Sequence, residues 1–163
     1  MRRQFGVVLQ NGQLLAGDIF SNIAGGTVIT LEQAWAAAQQ VGLDEDIRQM
    51  PMGMHTVISE GSSTLSGGQR QRILIARAIV HHPRVLFFDE ATSALDNRTQ
   101  AIVTESLARL RVTRVVIAHR LSTIREADRI LVLVGGKIVQ DGSYGSLSQV
   151  AGPFREMALR QTA

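Results

Sequence analysis

The sequence predicts an α/β domain built on a mostly parallel β-sheet, and three observations carry that prediction. Short, continuous apolar runs (Phe5–Leu9, Val85–Phe88, Val115–Ala118) are separated by stretches with helical spacing, the alternation expected of strands crossed over by helices. Each run gives way to polar residues: Gln10, the pair Asp89-Glu90, and His119. In open α/β sheets, ligands collect beyond the carboxyl ends of the strands. The 163 residues are 45% hydrophobic and 19% charged, an ordinary globular balance for one domain.

Taken in order, Phe5–Leu9 reads as a short buried strand ending at the turn signal Gln10-Asn11-Gly12. Leu31–Val41 has Leu31, Ala34, Trp35, Ala38 and Val41 on one helical face. A second short helix, Asp44–Met50, is stopped by Pro51. The polar loop Ser59–Gly68 leads into a helix reaching about Val80, with Ile73, Ala76, Ile79 and Val80 as its apolar stripe and His81-His82-Pro83 as its end. Val85–Phe88 reads as a strand buried on both faces. Arg98–Leu110 is helical with Ile102, Val103, Leu107 and Leu110 inward, and Val115–Ala118 is another buried strand. Arg129–Val134 and Lys137–Gln140 form a hairpin about Gly135-Gly136, and Pro153–Arg160 is a final helix. The helical stretch between about Thr30 and Arg77 reads as an insertion leaning on the sheet.

Composition excludes several classes. With no Cys there is no disulfide scaffold, thiolate metal site or Cys nucleophile. A net charge of +3, carried by sixteen Arg and one Lys against fourteen acids, gives no argument for nucleic acid. The longest apolar runs fall far short of the ~20 residues that span a bilayer. The opening Met1-Arg2-Arg3-Gln4-Phe5 is no signal peptide. His55, His81 and His82 lack metal-ligand spacing and read as surface or loop residues, while Trp35 and Tyr144 read as packing residues.

The chemistry concentrates at four places. Asp89 and Glu90, adjacent at a strand end, point to different sides, so one carboxylate suits a divalent cation and the other a water attacking phosphorus. Ser66-Gly67-Gly68-Gln69 opens a helix: Ser66 is an N-cap, the glycines admit a ligand to the backbone, and the helix start offers N–H groups to phosphate. Gln69-Arg70-Gln71-Arg72 adds positive charge that by itself reads as a solvated face. His119 suits a terminal-phosphate contact. Each has a structural alternative (a solvated acidic turn, an ordinary capped helix, a histidine closing a strand). Sites from three separate strands are harder to explain by chance.

Leu65–Gln69 (LSGGQ), Leu86–Asp96 (LFFDEATSALD) and Ala118–Ser122 (AHRLS) together resemble the ATPase domain of ABC transporters, in order and in spacing, over about Phe5 to Arg160. The resemblance implies a P-loop NTPase-like fold with an inserted α-helical signature subdomain, and ATP and Mg²⁺ as cofactors. It divides the chain into a Q-loop strand and following loop (about 1–29), a helical signature subdomain (about 30–80) and a Walker B, D-loop and C-terminal part (about 81–163). It implies Gln10 as the Q-loop glutamine touching the metal and Ser66, Gly67, Gly68 and Gln69 as the signature loop. Asp89 becomes the Walker B aspartate supporting Mg²⁺, Glu90 the general base, Ser93–Asp96 the D-loop and His119 the switch histidine. Ala91, Arg120 and the segment Thr56–Gly61 are similar to exporters, and Gln10–Leu14 with Gly17-Asp18-Ile19 to peptide or bacteriocin exporters. The implied partners are a second ATPase domain, paired head to tail, and an exporter's transmembrane domain, at the cytoplasmic face of a membrane; no nucleic acid is expected.

One departure stands out: no G-x-x-x-x-G-K-[ST] occurs, and the single Lys, Lys137, sits in a hairpin turn. The expectation is therefore of the C-terminal two-thirds of such a domain, the N-terminal part of the fold with its Walker A loop being absent. Weak nucleotide binding, an exposed sheet edge and self-association are expected of the chain alone. Two other readings of the same residues are a soluble ABC-type ATPase acting on nucleic acid or ribosomes, and a non-catalytic truncated remnant.

Overall fold

The computed structural model describes residues 4–58, 65–89, 97–110, 112–118 and 121–162. They fall into two compact units, Met1–Ile117 and Ala118–Ala163.

In the first unit β1 (Phe5–Val8), β4 (Val85–Asp89) and β5 (Thr113–Ile117) form a parallel sheet in the order β1-β4-β5. Val8 pairs with Phe88, and Asp89 with Ile117, so the three carboxyl ends share one edge. Between β1 and β4 the chain builds a helical layer. It comprises α1 (Ile19–Ala24), α2 (Leu31–Gln40), α3 (Asp44–Arg48), a 3-10 turn at Gly53–His55 and α4 (Gly67–Ile79). A two-residue antiparallel pair, β2 (Gly17–Asp18) with β3 (Val57–Ile58), closes its base, and α5 (Asn97–Arg109) leads to β5.

Local chemistry sets these boundaries. Capping boxes start α1 (Asp18 with Ser21), α2 (Thr30 with Gln33) and α4 (Ser66 with Gln69). Gly25, in the left-handed region at φ +59°, ends α1. His82, at φ +48°, donates its N–H to the Ile79 carbonyl at 2.9 Å and turns the chain out of α4 ahead of Pro83. Burial of Ile73, Ile75 and Ile79 on α4 contributes roughly 1.5–3 kcal/mol each.

Among the described residues the core draws on one face of the sheet. It takes Val8, Leu86 and Phe88 and packs them with Ile19, Ile23, Leu43, Ile47, the α4 stripe, Val103 and Leu107. Phe5, Val7, Phe87, Val115 and Ile117 line the opposite face and are exposed. This corrects three expectations: Phe5–Leu9 and Val85–Phe88 are buried only on alternate residues, because the helices cover a single face, and β5 is exposed along its whole length, because among the described residues it is an edge strand that contributes nothing to the core. Two helical positions expected inside, Leu31 and Ile102, are exposed as well, since they lie at the rims of their helices' buried stripes.

The second unit holds α6 (Leu121–Ile124), the hairpin β6 (Ile130–Val134) and β7 (Lys137–Gly142), α7 (Tyr144–Gln149) and α8 (Pro153–Thr162). Gly135 and Gly136, at φ +57° and +76°, make the hairpin turn. Ile130, Leu147 and Phe154 form its core, with Tyr144 edge-on to Phe154 at 5.6 Å between ring centres. Among the described residues no helix is long and apolar enough to cross a membrane.

Candidate functional site

β1 and β4 bring two of the expected site residues to one place. Gln10 stands two residues beyond Val8, in a turn closed by the Gly12 N–H on the Leu9 carbonyl at 3.1 Å. Asp89 ends the neighbouring strand one residue beyond Phe88, the partner of Val8. Both therefore lie at the carboxyl edge of the sheet, Gln10 exposed and Asp89 half-buried. An amide and a carboxylate on adjacent strands supply oxygen donors of the kind Mg²⁺ takes. Glu90, the Ser93–Asp96 segment, His119 and Arg120 lie outside the described residues, as do Ser59, Glu60 and Gly61.

The Ser66–Gln69 turn is built at the other end of α4. The sheet edge reaches that helix at Gly12, which faces Leu74, about two turns beyond Ser66. Ser66 is extended at φ −64°, ψ 161° and its hydroxyl oxygen accepts the Gln69 N–H at 3.1 Å. In return the Ser66 N–H donates to Gln69 Oε1 at 2.9 Å. Arg70 N–H donates to the Ser66 carbonyl at 3.0 Å, and its guanidinium to the Leu65 carbonyl at 3.0 Å. Gly67 and Gly68 occupy the first two helical positions, whose N–H groups precede the helical ladder. Among the described residues, a Cβ on Gly67 meets nothing closer than the Arg70 Nη2 at 4.0 Å, so that position is open to an approaching group. A hydroxyl, two glycine N–H groups and the positive end of a 13-residue helix fit a phosphate.

Two polar clusters behind these elements escaped the sequence reading. Arg72, in the Gln69–Arg72 run that by itself reads as a solvated face, is buried. Its Nη1 lies 2.9 Å from Asp46 Oδ2 and also donates to the Gly42 carbonyl. Gln69 Nε2 donates to the other oxygen of Asp46 at 2.9 Å, so the glutamine side chain faces its own protein. Asn22, 2% exposed, has its Oδ1 accepting from Leu15 N–H at 2.9 Å and Arg77 Nη2 at 2.7 Å. Its amide donates to the Leu15 and Asp18 carbonyls. Arg77 Nε caps α1 through the Asn22 carbonyl at 2.5 Å, and burial lowers this guanidinium's pKa from its ordinary value. The only signal for Arg77 and Arg72 in the sequence was their place on the apolar side of a helix.

Three comparisons bear on the arrangement. A family model described as "ABC transporter" matches residues 1–93. The alpha-hemolysin translocation ATP-binding protein HlyB of Escherichia coli O157:H7 is 46% identical over 150 residues, which are 90% of this chain and 21% of that protein. The ATP-dependent lipid A-core flippase of Pseudoalteromonas atlantica is 44% identical over 161 residues, 96% of this chain and 28% of that protein. Among solved structures, a bacterial Atm1-family ABC exporter with ATP bound superimposes with a TM-score of 0.94 at 39% identity, over 99% of this chain and 29% of the other. The chain thus spans between about a fifth and a third of the length of these relatives.

Proposed function

Because the chain belongs to the ABC transporter family, we propose that it works as part of the nucleotide-hydrolysing engine of an exporter, coupling ATP turnover to passage of a substrate across a membrane. The observation that carries this reading is the Ser66–Gly68 turn on a capped 13-residue helix, open at Gly67 among the described residues, with 39% identity to an exporter that has ATP bound. ATP supplies the phosphorus centre, and Mg²⁺ neutralises charge on the phosphate oxygens.

The chain's own residues divide the work in this reading. The Ser66 hydroxyl and the Gly67 and Gly68 N–H groups donate to terminal phosphate oxygens, with Gln69 completing the turn. Asp89 and Gln10 hold the metal with its water shell from the sheet edge. Glu90 takes the proton of the attacking water, and His119 contacts the terminal phosphate. These last two roles rest on the family motifs alone. The distance along α4 between the Ser66 turn and the sheet edge supports a division into two half-sites, each completed by a second ATPase domain set head to tail. The working location is then the cytoplasmic face of a membrane, against an exporter's transmembrane domain.

The 163-residue sequence offers no lysine in a glycine-rich phosphate loop, so the chain by itself binds Mg-ATP weakly. The test mixes it with an ABC exporter ATPase domain that carries its own such loop, and follows sedimentation. Mg-ATP is expected to drive a mixed dimer that Ser66→Arg abolishes. Association that ignores Mg-ATP, or that survives Ser66→Arg, rejects the proposal.

A further inference from the structure

We propose that Asp46 is a positioning residue for the Ser66–Gln69 turn, acting through Gln69 and Arg72; this rests on the reading of that turn as a phosphate site. Asp46 belongs to α3, 23 residues before Gln69, and each of its carboxylate oxygens is engaged. Oδ1 accepts from Gln69 Nε2 and Oδ2 from Arg72 Nη1, both at 2.9 Å. Arg72 Nε reaches back to the Gly68 carbonyl at 3.4 Å, while Gln69 Oε1 accepts the Ser66 N–H at 2.9 Å. One carboxylate therefore ties down both flanks of the turn, Ser66 through Gln69 and Gly68 through Arg72.

Two physical arguments give this arrangement a purpose. A Ser-Gly-Gly segment has unusual backbone freedom, so its order gains from contacts made by neighbouring side chains. An anion site also needs its field kept positive. A bare carboxylate beside the start of α4 would oppose a phosphate, but paired with the Arg72 guanidinium it adds no net charge. The Arg72 side chain is only 11% exposed, against 33% for Asp46, so the pair is held in one geometry by packing.

Hydrogen exchange of the 163-residue chain without nucleotide tests the proposal. In Asp46→Ala and in the size-conserving Asp46→Asn, the amides of Gln69 and Arg70 are expected to exchange about tenfold faster, with Ile75–Ile79 and α2 within about twofold of the parent. The double variant Asp46→Asn with Gln69→Glu exchanges donor and acceptor. It is expected to bring Gln69-site and Arg70 exchange back to within about twofold of the parent. Unchanged exchange at residues 69 and 70 overturns the proposal. So does a uniform rise across α2–α4, the mark of a merely structural residue, or a double variant no better than the single ones. No nucleotide enters the measurement, so it can fail while the Mg-ATP association test succeeds, and the reverse.

Discussion

At the residue scale, Asp18 combines two jobs. It caps α1, accepting the Ser21 N–H at 2.7 Å, and lies 2.8 Å from His55 Nδ1. Burial pushes its pKa up, but the bonds from Ser21 and His55 together outweigh this and hold the carboxyl below its ordinary value. A carboxyl depressed in the folded state adds stability above its unfolded pKa, about 3.9, and loses it as pH falls through the lower folded value. Thermal unfolding across the acid range should therefore show a slope below about pH 4 that Asp18→Asn flattens. How far such residues were legible in the sequence depended on the reach of their contacts. Ser66 as a cap was readable because its partner, Gln69, is three residues away. Arg72 and Asn22 were not, because the Gly42 carbonyl lies 30 residues from the first and Arg77 lies 55 from the second. Nothing local marks a polar side chain whose distant partners arrive only when the layers close.

At the element scale, α4 and β1 fix each other. A Cβ on Gly6 would fall well inside contact distance of the Ala78 carbonyl oxygen and the Leu86 side chain. A backbone oxygen cannot step aside as a flexible side chain would. Gly6→Ala is expected to cost about 3 kcal/mol or more in urea unfolding. Gly145→Ala in α7, where a Cβ meets nothing within 4 Å among the described residues, should be neutral or gain up to about 1 kcal/mol, since alanine favours helix. The same substitution thus reports two opposite environments. Helices and strands themselves were legible, because apolar spacing and capping residues are local signals. Burial of the strands was not: a run such as Val85–Phe88 reads as buried on both sides, whereas the number of helical layers is a tertiary property.

For the whole molecule, the sheet face carrying Phe5, Val7, Phe87, Val115 and Ile117 is the largest departure from expectation. Contiguous exposed apolar surface drives association. Light scattering should show concentration-dependent growth of the parent chain, and the pair Val7→Lys and Ile117→Lys should suppress it without changing the unfolding free energy by more than about 0.5 kcal/mol. An unaltered scattering profile in the paired variant would place the association elsewhere. The close seat of Ala78 on Gly6 has a mechanical meaning too. Carbonyl against bare backbone is a joint with no clearance, so nothing can be admitted between helix and strand at that point without moving one of them.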